Sequence, residues 1–232
     1  MEDDSSFDFN FWTSFADIML SLVLVLCLLL FMVAAVISVG KVNLKQIEDN
    51  QQNMINSIAD AYHVKPKPRD KDLFGISFDR NNVDDITIKN DLNSQTITFS
   101  DKLLFSPDKT EINPAGQEVL KVVGKTIFAQ RHSIKEIQIQ GHADTKKSSR
   151  FSTNTELAAM RAISVFQFLQ DKVGIDPNEN LMSATSFGEF KSVQRGTDDK
   201  SVYNQERLLV DNGDEHFRSR NRRIELVLIY RR

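Results

Sequence analysis

Ile134-Lys135-Glu136-Ile137-Gln138-Ile139-Gln140-Gly141-His142-Ala143-Asp144 carries the decision about the fold. Ile137, Ile139 and Gly141 alternate with polar residues, so 134–140 reads as a strand with one buried face. Ten residues on, Asn154-Thr155-Glu156-Leu157-Ala158-Ala159-Met160-Arg161-Ala162 opens a helix predicted over 155–173. Ala158, Ala162, Val165, Leu169 and Val173 form its apolar stripe. Working outward, 86–89 and 96–99 read as strands around the turn Asn90-Asp91-Leu92-Asn93. Asn113 before Pro114 marks a helix start, with Val119, Val123 and Ile127 on one face. A short strand over 181–187 and a last one through Ile224, Leu226, Leu228 and Tyr230 complete the pattern. This order predicts an α+β domain with one mixed sheet and helices on a face.

Composition narrows the function. The 232 residues carry 29 Lys+Arg against 32 Asp+Glu, a net charge of -3, so the basic footprint of a nucleic-acid binder is missing. The single Cys27 lies in an apolar run and excludes an intramolecular disulfide or a multi-cysteine metal site. His63, His132, His142 and His216 have no ligand spacing. Gly124-Lys125-Thr126 lacks the phosphate-loop glycine five residues earlier, where Val119 stands. Neither a metalloenzyme nor a nucleophile triad is indicated, and the expectation is a protein that is not an enzyme and needs no cofactor.

Residues 18–39 contain no charge and only Ser21 and Ser38 as polar residues, enough for one membrane-spanning helix of roughly 20 residues. A signal peptide is the alternative. The acidic start (Glu2, Asp3, Asp4, Asp8) and an apolar part beyond the usual ~7–15 residues favour a retained anchor over 11–40, behind a tail of 1–10. Trp12, with Phe9 and Phe11, suits an interfacial belt. Lys41 and Lys45 alone would place the following segment in the cytoplasm.

Residues 41–64 read as a helix in heptad phase. Leu44, Ile47, Gln51, Met54 and Ile58 alternate in steps of three and four, the seam expected of a homodimer. The alternative is an amphipathic helix packing on its own domain. Val64-Lys65-Pro66-Lys67-Pro68-Arg69-Asp70 then reads as a stiff linker over 65–72, before a soluble domain over 73–232.

Two constellations carry chemistry. Asp17 stands just before the apolar run, with Thr13 and Ser21 one helical turn either side on one face. A carboxylate at the edge of a membrane span marks an ion path, or is an ordinary interfacial residue. Asp144 ends the strand and Arg161 lies on the flank of the next helix. Together they suit a zwitterion, Asp taking the ammonium and Arg the carboxylate; an internal salt bridge is the other reading.

Three ordered motifs resemble the OmpA/MotB-like peptidoglycan-binding family. Gly141-His142-Ala143-Asp144 is similar to its Gly-His-Thr-Asp. Asn154…Leu157…Arg161-Ala162 is similar to its Asn-x-x-Leu-Ser-x-x-Arg-Ala, and Asn221-Arg222-Arg223-Ile224-Glu225-Leu226 to its closing strand. The resemblance implies a βαβαββ domain in which Asp144 and Arg161 hold diaminopimelate of the stem peptide, with Asn154 supporting the loop. Ala143 and Ala158 depart from the Thr and Ser of the family pattern. At the other end, Phe11-Trp12-Thr13-Ser14-Phe15-Ala16-Asp17-Ile18-Met19 resembles the Trp-x-x-x-Ala-Asp-x-Met of stator B subunits of ion-driven motors. That implies Asp17 as carrier of a proton or sodium ion, a ring of multi-helix MotA-like A subunits, a B-subunit homodimer, a cytoplasmic N-terminus and a periplasmic domain in the bacterial inner membrane. The acidic tail and compact linker look closer to the B subunit of the Zorya antiphage defence system than to a flagellar MotB-type subunit. A plain OmpA-like wall anchor without ion transport is the third reading.

Overall fold

A computed structural model describes residues 11–70, 72–76, 85–193 and 205–231. The tail 1–10 and the side chains of Phe11 and Thr13 lie outside the described residues. The chain divides into two units, Met1–Gln46 and Ile47–Arg232.

The first unit is the leading part of helix α1 (Phe11–Ala61). Its apolar stretch is long enough to cross a membrane, and its large apolar side chains from Ile18 to Val42 are exposed. Gly40 does not interrupt the helix.

The second unit begins with the last turns of α1 and continues through β1 (Lys67–Asp70), β2 (Leu73–Ile76), β3 (Ile86–Asn90) and β4 (Ser94–Ser100). A short α2 (Asp101–Leu104), α3 (Pro114–Ala129), β5 (Ile134–His142) and α4 (Asn154–Phe168) follow. Then come β6 (Leu181–Gly188), the short α5 (Gln205–Asp211) and α6 (Glu215–Asn221), and β7 (Arg223–Tyr230). The strands form one mixed sheet in the order β1-β2-β3-β4-β7-β5-β6, with β5–β6 the parallel pair. The α+β architecture read from the sequence is the one observed, with two further strands at the edge. Residues 67–70, expected in a linker, pair with β2 as that edge; a proline and three charges disguised a strand that never enters the core. The helix predicted to Val173 ends its α-helical part at Phe168, continues as a π turn (Leu169–Val173) and stops at Gly174 with φ 86°.

Alternation explains the packing. Ile97 and Phe99 of β4, Ile137 and Ile139 of β5, and Leu226 and Leu228 of β7 are buried together with Leu120, Val123 and Ile127 of α3 and Ala162 and Val165 of α4. Asn113 caps α3 by accepting from Gly116 N at 2.7 Å, with Pro114 as first helical residue. Gly141 is required: a Cβ there would stand 2.1 Å from the Ala158 carbonyl oxygen, so its absence lets α4 lie against β5.

The seam is corrected by the structure. Ile47, Met54 and Ile58 are buried in this same core, alongside Ile55 and Ala59. Gln51 is buried as well; its side-chain amide donates to the backbone carbonyls of Asp91 and Ser94 at 2.8 and 3.0 Å, and its backbone carbonyl accepts from the Gln95 side chain. Leu44 belongs to the other unit and is 38% exposed. Ile55 and Ala59 broaden the stripe beyond an a/d seam, which is the signature of a helix facing a globular core. Gln51 closes the β3–β4 turn and sets no register between two helices.

Candidate wall-binding site at one end of the sheet

The register aligns Ser100, Arg223 and His142 in one row across β4, β7 and β5. The residues just beyond that row converge at the same sheet end: Asp101, Arg222 and Asp144. A backbone bond from Asp101 N to the Arg222 carbonyl, 3.1 Å, ties the first two together. Ala143 N donates to the Gly188 carbonyl at 2.8 Å and sets where the chain leaves β5.

Asp144 is buried. One carboxylate oxygen accepts from Lys146 N at 3.0 Å, and the other from the Arg222 guanidinium. Arg222 also bonds Glu215 of α6 at 2.5 Å. Asn154, at the start of α4, donates to the Asp144 carbonyl at 2.9 Å and accepts from Ser148 N at 3.2 Å. It therefore clasps the 144–148 part of the loop leaving the strand.

Arg161 is buried as well, and it pairs with Asp101 at 2.6 Å. Its Nε donates to the Lys109 carbonyl at 2.9 Å, and its guanidinium lies 5.0 Å from the Phe105 ring centre. Burial pushes the Asp101 carboxyl up from its ordinary range, against the pull of Arg161 and Arg222. Among the described residues, Asp144 and Arg161 pair with other groups and not with each other. The site is thus two crossed ion pairs of zero net charge, Asp101–Arg161 and Asp144–Arg222, with Glu215 outside. Asp101 and Glu215 were missed, because nothing in the sequence announces a carboxylate that matters only after β4 and β7 align. Arg222 stood in a motif singled out above, but no role was assigned to it.

A second charged group lies next to this end. His142 Nε2 stands 3.3 Å from Glu225, which also takes Arg223 at 2.6 Å and Lys191 at 3.7 Å. The His142 ring stacks on Phe187 at 5.2 Å. Burial pushes the His142 imidazole down to about 4. The folded value lies below the unfolded one of about 6.5, so the unfolded chain binds more protons between these limits and stability rises with pH there. Stability should fall by about 3 kcal/mol as pH drops from 6.5 to 4, a contribution fully present above 6.5. Urea unfolding of the wild-type chain and His142→Gln across this range checks it; the variant should show a flatter profile.

Asp17 and Ser21 lie one turn apart on α1, both exposed. Among the described residues no cluster of three or more His, Cys, Asp or Glu could hold a metal ion.

The sequence profile of the OmpA family matches residues 104–206, which carry Asp144, Asn154 and Arg161. The C-terminal domain is OmpA-like. Solved structures agree on the fold. A MotB-like protein from Desulfovibrio vulgaris is 23% identical with a TM-score of 0.57, over 81% of this chain and 98% of that one. Two structures of the periplasmic domain of Helicobacter pylori MotB are each 19% identical. Their TM-scores are 0.50, over 66% of this chain and 86% of that one, and 0.51, over 70% and 90%. No curated protein matches the sequence. In the OmpA-like domain the profile match ends at residue 206, so Arg222 and Glu215 lie beyond it.

Proposed function

We propose that the OmpA-like domain holds diaminopimelate-type peptidoglycan through Asp144 and Arg161, with Asn154 fixing the loop, and that α1 anchors the chain in the bacterial inner membrane as the B subunit of an ion-driven stator. The observation that carries the wall reading is the convergence of Asp144 and Arg161, 17 positions apart in sequence, at one sheet end, where Asp101 and Arg222, their ion-pair partners, are joined by a backbone bond. The partners are a ring of multi-helix MotA-like A subunits and a second copy of the chain. The transported species is a proton or sodium ion, carried at Asp17, with Thr13 and Ser21, four positions away on either side in the sequence, as supporting residues. The N-terminus lies in the cytoplasm and the OmpA-like domain in the periplasm. The acidic tail supports a Zorya-type role in phage defence.

The full-length chain in detergent should cosediment with diaminopimelate-containing sacculi. Asp144→Asn should weaken this at least tenfold, since losing one partner of a desolvated charge pair costs about 2–5 kcal/mol. Arg161→Ala should do the same, with circular dichroism checking the fold because Asp101 is left unpaired. Full retention of binding by both folded variants sinks the assignment.

A further inference from the structure

Both charged groups of the proposed site already have an internal partner, and the two are held very differently. Arg161 is locked in place. Asp101, the Lys109 and Ser106 carbonyls and the Phe105 ring surround it, and its side chain is 4% exposed. Asp144, 5% exposed at its side chain, is covered by Arg222, which is 19% exposed. The other hold on Arg222 is Glu215, 60% exposed, and an ion pair that open to water is weak and screened by salt. Within the quartet Arg222 has the most exposed side chain, 19% against 11% for Asp101, 5% for Asp144 and 4% for Arg161.

We propose that the Arg222 guanidinium is a built-in competitor for Asp144, seated where the ammonium of the wall peptide must go, so that the ligand binds by exchanging its ammonium for Arg222. This rests on Asp144 being the ammonium acceptor of the site. The exchange keeps a cation on Asp144 before and after, so the carboxylate is never left bare beside Asp101. A ligand that brings only carboxylates cannot make the exchange, because it would leave Asp144 buried and unpaired. The site therefore selects the diamino acid of the stem peptide and rejects simple anions. It also makes binding weaker than the bare Asp144–ammonium contact, because apparent affinity scales with the fraction of molecules in which Arg222 has moved off.

The test is a titration of the full-length chain in detergent with a soluble muropeptide containing diaminopimelate. The wild type is compared with Arg222→Gln and Glu215→Gln, each also combined with Asp144→Asn. Arg222→Gln should bind about tenfold more tightly, and Glu215→Gln up to about fivefold, the range of an exposed ion pair. Both gains should vanish in the Asp144→Asn background. A folded Arg222→Gln chain that binds no better than wild type overturns the proposal, making Arg222 a ligand contact or a brace. Should that variant fail to fold, unchanged or weaker binding by folded Glu215→Gln overturns it equally. Absence of binding by the wild type and all variants strikes the wall reading itself, whereas wild-type binding without the gain strikes the competitor alone.

Discussion

Asp17→Asn should leave the complex assembled and motionless. Asparagine keeps the size and hydrogen bonding of the side chain but holds no exchangeable charge. The position lies at the entrance of an apolar stretch long enough to cross a membrane, with Ser21 one turn further on the same helix face. Each elementary charge that crosses the membrane potential delivers about 2.3 kcal/mol per 100 mV, and in the proposed stator one carboxylate per chain would be the element through which it acts. The expected result is complete loss of activity, phage protection or motility, and of ion flux through reconstituted complexes, with the yield of complex unchanged. Normal activity at normal yield would reduce Asp17 to an interfacial residue and leave a plain wall anchor.

The second large effect concerns the start of the folded domain. A fragment beginning at residue 73 lacks Ile47, Met54, Ile55, Ile58 and Ala59, all buried in the core, and Gln51, which closes the β3–β4 turn. Truncating one large core aliphatic side chain to alanine costs about 2–5 kcal/mol, and four are lost here. The sum matches or exceeds the roughly 5–15 kcal/mol that holds a typical domain folded. Residues 47–232 should therefore unfold cooperatively in urea, while residues 73–232 should aggregate or show no transition. Equal midpoints for the two fragments would mean that the helix merely rests on the domain. The same burial removes Ile47, Gln51, Met54 and Ile58 as a surface for a second copy, so any pairing of two chains must use other residues.

The sequence by itself determined the local elements and the residue types of the site. Period-two alternation in Ile137-Gln138-Ile139 and period-3.6 spacing in Ala158, Ala162 and Val165 are local consequences of strand and helix geometry, so they could be read without a fold. So could the cap at Asn113 and the membrane-length apolar run. The tertiary structure alone decided which surface each pattern meets. The stripe from Ile47 to Ile58 is compatible with a second helix or with a sheet, because both bury the same face, and only the placement of β3 and β4 selects the latter. Asp144 was legible as a candidate site residue, but the charges that surround it were not: Asp101 and Arg222 are 43 and 78 positions away and come near it only because β7 lies between β4 and β5. Charge pairing depends on distances of a few ångströms across non-local strand register, which no spacing along the chain encodes.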